Sequence, residues 1–125
     1  MNNFKVLIVD DDLTTGGLLE TILQMESYQT SFVDTIEQGD VISLLEREQP
    51  HIVILDYHLG SVETLPHLRT IRANATWNHL PVLMTSALDL ERDCVRAGAS
   101  GFILKPFNWL QMTNTINTLR DKFLA

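Results

Sequence analysis

The chain has 125 residues, 45% of them hydrophobic, a single cysteine and a formal charge of −7. That is one domain's length with enough apolar content for a single core, and the negative charge argues against this domain gripping nucleic acid through phosphates. No apolar stretch spans a bilayer and the N-terminus lacks the basic start and apolar run of a signal peptide; Cys94 cannot form an internal disulfide, so a cytoplasmic location without membrane association is expected.

Lys5–Val9 reads as a buried strand. A helical pattern follows with Leu18, Leu19, Ile22, Leu23 and Met25, its first turn weakened by Gly16-Gly17. Tyr28–Val33 alternates as a short second strand. Val41, Leu44 and Leu45 mark a second amphipathic helix that ends before Pro50. His51–Leu55 is the third strand, and Leu65, Leu68 and Ile71 form the stripe of a third helix. Pro81–Thr85 is the fourth strand, Asp89–Ala97 a short helix stopped by Gly98, and Ser100–Leu104 the fifth strand. Leu110, Ile116, Leu119 and Phe123 give the last helix.

Strands alternating with helices imply parallel pairing, right-handed crossovers and helices on both faces. Continuous rather than alternating apolar strands say that the sheet is buried on both sides. Its strands then share one carboxyl-terminal edge, where open α/β sheets keep their chemistry. Four apolar runs end there in chemically active groups: Asp10-Asp11-Asp12, Asp56, Ser86 and Lys105.

Carboxylates forced together repel, and each raises its neighbours' pKa unless a cation neutralises them. A hard divalent ion is the simplest remedy, since magnesium takes a few carboxylate oxygens and accepts a phosphoryl oxygen as a further ligand. An aspartate can also attack a phosphoryl group and hold it as an acyl phosphate, with metal, lysine and hydroxyl neutralising the transferring oxygens. The histidines His51, His58, His67 and His79 lack zinc-ligand spacing.

Taken together, Val9-Asp10-Asp11, Ile54-Leu55-Asp56-Tyr57, Thr85-Ser86-Ala87, Ala97-Gly98-Ala99-Ser100-Gly101-Phe102 and Leu104-Lys105-Pro106-Phe107 resemble the receiver domain of two-component response regulators. The resemblance covers essentially the whole chain, residues 1–125, as one domain. It implies a flavodoxin-like α/β fold: a five-stranded parallel sheet in the order 2-1-3-4-5, flanked by five helices. It makes Asp56 the phosphoacceptor, charged by a histidine kinase or a histidine phosphotransfer protein. Mg2+ (or Mn2+) would be held by Asp11, Asp56 and the backbone carbonyl of His58, with Asp10 acting through water. Ser86 and Lys105 would contact the phosphoryl group. Phe102 would be the switch that alters the face built from the fifth strand and the last two helices. Asp12 falls beyond the site and reads as a helix-start residue. A cis Lys105–Pro106 bond is also implied.

Two positions depart from the family pattern. Gly60 stands where a proline is usual, four residues after the phosphoacceptor, and Thr64 where a glycine is usual, eight after. Both leave the conformation of that loop open. The segment Gly98–Phe102 lacks the acidic pair and tyrosine of the winged-helix transcription-factor subclass. Two other readings compete: an interaction module that takes no phosphate, and an aspartyl-phosphate phosphohydrolase suggested by Asp10-x-Asp12. Self-phosphorylation from small donors and self-dephosphorylation are the most chemistry expected. The output is an unidentified downstream protein or an output domain outside this chain, since the sequence fits a single-domain regulator or an excised receiver. Trp77 and Trp109 read as half-buried packing residues.

Overall fold

The structure, a computed structural model, describes residues 3–124. In chain order the elements are β1 (Lys5–Val9), α1 (Leu13–Met25), β2 (Gln29–Val33), a 3-10 turn (Glu37–Gly39), α2 (Val41–Glu48), β3 (Ile52–Asp56), β4 (His58–Leu59), β5 (Val62–Glu63), α3 (Leu65–Ala73), β6 (Val82–Ser86), α4 (Glu91–Arg96), β7 (Gly101–Leu104) and α5 (Trp109–Leu124). Five strands form one parallel sheet in the order β2-β1-β3-β6-β7. This is the expected flavodoxin-like order once the small antiparallel β4–β5 hairpin is set aside; sequence reasoning treated that segment as loop.

Successive strand residues feed opposite faces. Leu7, Val9, Val53, Leu55, Val82 and Met84 pack under α2, α3 and α4, while Val6, Ile8, Ile52, Ile54, Leu83 and Ile103 pack under α1 and α5. All five residues of β3 are buried, so the middle strand is covered on both sides as its unbroken apolar run required. Each of its large aliphatic side chains contributes about 2 kcal/mol by leaving water. Cys94 is buried in the first of these layers, and burial pushes its thiol up to about 11, as suits an inert core residue.

Two features of α1 differ from expectation. The helix starts at Leu13, ahead of the glycine pair, because Asp12 caps it: its carboxylate accepts from the Thr14 and Thr15 N–H groups at 3.0 and 3.2 Å. Gly16 is there for space, since a Cβ would lie 2.1 Å from the Phe32 ring. The apolar stripes are also wider than the sheet can cover. Leu18, Met25, Leu110 and Phe123 are exposed although they lie on the predicted inner faces of α1 and α5. Trp77 packs against the core as expected, whereas Trp109 is exposed and stands edge-on to Phe107.

Candidate functional site

The order in which strands are added reverses at the β1–β3 pair, with β2 on one side and β6 and β7 on the other, so a crevice opens above the ends of β1 and β3. Asp10 follows β1 and Asp56 closes β3. Both continue the residue parity that packs under α1 and α5, and so does Lys105 beyond β7. The three meet there. The Lys105 ammonium donates to Asp10 Oδ2 at 3.0 Å and to Asp56 Oδ2 at 3.1 Å. The second oxygen of Asp10 accepts the Asp12 N–H at 2.9 Å.

Asp11 stands at the mouth of the crevice, exposed, and its carboxylate accepts the backbone N–H of Gly60. Asp10, Asp11 and Asp56 each offer an oxygen such that all three lie within 4.8 Å of one another. The donor set fits a hard divalent cation: three carboxylates, no nitrogen or sulfur, and one of the three open to solvent. One ammonium bridges two of these carboxylates, leaving an excess of negative charge for a cation to offset.

The titration behaviour follows from that crowding. The Asp56 carboxyl is raised to about 6: burial pushes it up first, the Lys105 ammonium pulls against that, and the Asp10 carboxylate adds to the rise. For Lys105, burial favours the neutral amine, but hydrogen bonds and charges from Asp10 and Asp56 outweigh it and hold the ammonium above its ordinary value. Asp12 lies outside the cluster, its carboxyl lowered first by the Thr15 hydrogen bond, which bears out its reading as a helix-start residue.

Ser86 ends β6 and Phe102 lies in β7, and both share the other parity. Phe102 pairs in register with Met84 and packs half-buried against the layer under α2–α4, two positions from Ser86. The Ser86 hydroxyl accepts the Leu88 N–H at 3.1 Å, and its carbonyl accepts the Lys105 N–H at 2.8 Å. Ser86 thus touches Lys105 through the backbone while its side chain borders the aromatic's face of the sheet. Leu88 itself is 60% exposed. The Lys105–Pro106 bond is cis, as expected.

Sequence reasoning named Thr64 only as a departure from the family pattern and gave Thr85 no role of its own. Thr64 is fully buried and donates its hydroxyl to the carbonyls of Asp56 and Tyr57 at 2.7 and 3.1 Å. Thr85 pairs in register with Asp56, and its buried hydroxyl has no hydrogen-bond partner. The signal for Thr64 was available: a β-branched residue in a place usually given to glycine excludes a left-handed backbone, and its φ is −100°.

The family model for the response regulator receiver domain matches residues 6–117. This chain belongs to that family. The fold of the receiver is similar to that of a putative response regulator from Chloroflexus aurantiacus, with 24% identity, a TM-score of 0.84, and 94% of this chain and 98% of that one covered. It is also similar to a CheY-like response regulator receiver domain protein from Methanospirillum hungatei, with 22% identity, a TM-score of 0.84, and 98% and 97% covered. A third likeness is the signal receiver domain of a signal transduction histidine kinase from Syntrophus aciditrophicus, with 26% identity, a TM-score of 0.79, and 93% and 89% covered. The protein is therefore a receiver domain of two-component systems with an acidic pocket formed by Asp10, Asp11 and Asp56. Receiver domains are generally not enzymes. Among the described residues no helix is long and apolar enough to cross a membrane.

Proposed function

We propose that the receiver is a phosphorylation-dependent switch that takes a phosphoryl group on Asp56 from a histidine kinase or histidine phosphotransfer protein. One observation carries the reading: a buried carboxylate at the topological switch point shares one ammonium with a second acid and lies beside a third. An oxygen of Asp56 attacks phosphorus as the phosphorus–nitrogen bond to the donor imidazole breaks, the nitrogen leaving with the electron pair. A bound Mg2+ or Mn2+ would supply charge neutralisation at the phosphoryl oxygens, held by Asp11, Asp56 and the His58 carbonyl, with Asp10 through water.

Lys105 is already within hydrogen-bond reach of Asp56, so it can follow the transferring charge without a large movement. Ser86 would turn its hydroxyl toward the phosphoryl group, giving up the Leu88 N–H, and vacate space that Phe102 can enter from the same face of the sheet. That inward turn would alter the surface of α4, β7 and α5, and so signal arrival to a downstream protein or an output domain. The donor's approach is open on the other side. An apolar groove of about 340 Å³, lined by Thr15, Leu18, Ala87, Phe107 and Trp109, includes Lys105 in its wall and suits the apolar flank of a donor whose imidazole must reach Asp56. Work of this kind is done in the cytoplasm.

The test is stoichiometric labelling. With Mg2+ and a small phosphodonor the protein gains one acid-labile phosphoryl group, and Asp56→Asn abolishes it. Full labelling of Asp56→Asn would move the acceptor elsewhere. An unlabelled parent that still binds Mg2+ would favour the plain interaction module.

A further inference from the structure

Thr64 occupies the N-cap position of α3, yet its side chain makes no capping hydrogen bond. A capping threonine ordinarily uses its oxygen on its own helix. Here the hydroxyl turns backward and donates to the carbonyls of Asp56 and Tyr57, while the Thr64 N–H donates to the Tyr57 carbonyl at 2.8 Å. The two ends of the loop are thereby closed directly beneath the phosphoacceptor. Between them, β4 and β5 pair His58 with Glu63 and Leu59 with Val62, leaving Gly60-Ser61 as the tip. Gly60 has φ +61°, which L side chains rarely adopt, and its N–H donates to Asp11 Oδ2.

These contacts form one mechanical path from Asp56 to Asp11. We propose that the Tyr57–Thr64 hairpin is a positioning device for the cation site, pinned at its base by the Thr64 hydroxyl and holding Asp11 at its tip through the Gly60 amide. The inference rests on the phosphoacceptor reading, which makes this cluster a cation site. It also gives Gly60 and Thr64 a joint reason. A proline at position 60 has no N–H to offer Asp11, and a glycine at position 64 has no hydroxyl to close the base.

Asp11 is exposed, and it must stand close to two other carboxylates before any cation arrives. Left free, it would swing out, and binding would have to restore one rotamer against repulsion. The Gly60 amide takes up one acceptor site of the Asp11 carboxylate, and the others remain for a cation. The His58 carbonyl lies between the pinned base and the tip, so the same hairpin sets its position. Thr64 and Gly60 touch no reacting atom; both act through the ligands.

The experiment measures Mg2+ affinity by calorimetry and the Gly60 amide by proton–nitrogen NMR in the full chain, for the parent, Thr64→Val, Thr64→Ser and Asp11→Ala. Thr64→Val keeps the buried shape without the hydroxyl and weakens Mg2+ binding roughly tenfold, in the range for outer-shell partners of metal ligands. Thr64→Ser restores the hydroxyl and returns affinity to within about twofold of the parent, which a purely packing role would not do. In Asp11→Ala the Gly60 amide proton moves upfield as its charged acceptor is lost, a readout that needs no folded Thr64→Val. Parental affinity in a folded Thr64→Val, or an unmoved Gly60 amide in Asp11→Ala, would overturn the positioning role. Labelling of the parent at Asp56 is scored separately. A parent that never takes phosphate but shows these affinity changes would sink the signalling reading alone.

Discussion

Asp56→Asn changes one oxygen for an NH2 at the most crowded point of the site, and we expect it to stabilise the metal-free protein. The parent carboxylate has a side chain only 10% exposed and lies in a cluster with two other acids. Lys105 does not become an unpaired buried charge in the variant, because Asp10 still accepts from it at 3.0 Å. The difference between about 6 and the ordinary 3.8 caps the penalty for ionising Asp56 at about 3 kcal/mol. Solvent screening of a group at the edge of the sheet discounts that figure, so about 1–2 kcal/mol is the expected gain, worth roughly 3–8 °C in Tm for a chain of this length. The sign follows from proton counting. A carboxyl whose folded pKa is raised binds more protons in the native than in the unfolded state between pH 3.8 and about 6, so the parent loses stability as pH climbs through that window. The advantage of Asp56→Asn is therefore absent near pH 4 and complete by about pH 7. Thermal melts of both proteins in a chelator across this range read it directly. Saturating Mg2+ reverses the order, since a ligand at 100 times its Kd adds about 2.7 kcal/mol to the parent. A variant that melts at or below the parent at pH 7.5 in chelator, or a gap that persists unchanged at pH 4, would refute the crowding argument.

Asp11→Ala weakens Mg2+ binding more than Asp12→Ala, whereas Asp12→Ala lowers Tm by removing the α1 cap; paired calorimetry and melts separate the two. Thr85→Val replaces a buried, unpartnered hydroxyl with a methyl suited to a strand, and denaturant titration should find it about 1 kcal/mol more stable while labelling is retained. An equal or lower midpoint would mean that the hydroxyl is satisfied in solution. Leu88→Ala shortens the lifetime of the acyl phosphate, followed by loss of label after the donor is removed, because the bulky apolar side chain two residues after Ser86 is expected to exclude water without orienting it. Decay at the parental rate would end the shielding idea without touching Asp56 as acceptor.

Asp10, Asp56 and Lys105 were legible in the sequence because a buried parallel strand announces itself as an unbroken apolar run, and whatever ends the run must sit at the sheet edge. Strand order came from the resemblance, not from periodicity. The hairpin after Asp56 was missed, although Leu59 and Val62 flank a Gly-Ser pair, a known two-residue turn signal; two residue pairs are too few to stand out as strands. Exposure of Leu18, Met25 and Leu110 was equally hidden, because helical spacing defines the direction of a face but not how far the sheet beneath it extends. The part played by Thr64 depends on a hydroxyl pointing away from its own helix, which only coordinates reveal.

The alternation of the strands has a further consequence for how such a domain can change. Asp10, Asp56 and Lys105 belong to the layer beneath α1 and α5, while Phe102 lies on the layer beneath α2, α3 and α4. The sheet therefore stands between the acidic cluster and the aromatic ring of Phe102. The two layers are joined at the sheet edge by the Lys105 N–H donating to the Ser86 carbonyl, so a displacement of β7 against β6 is felt on both coats of side chains at once.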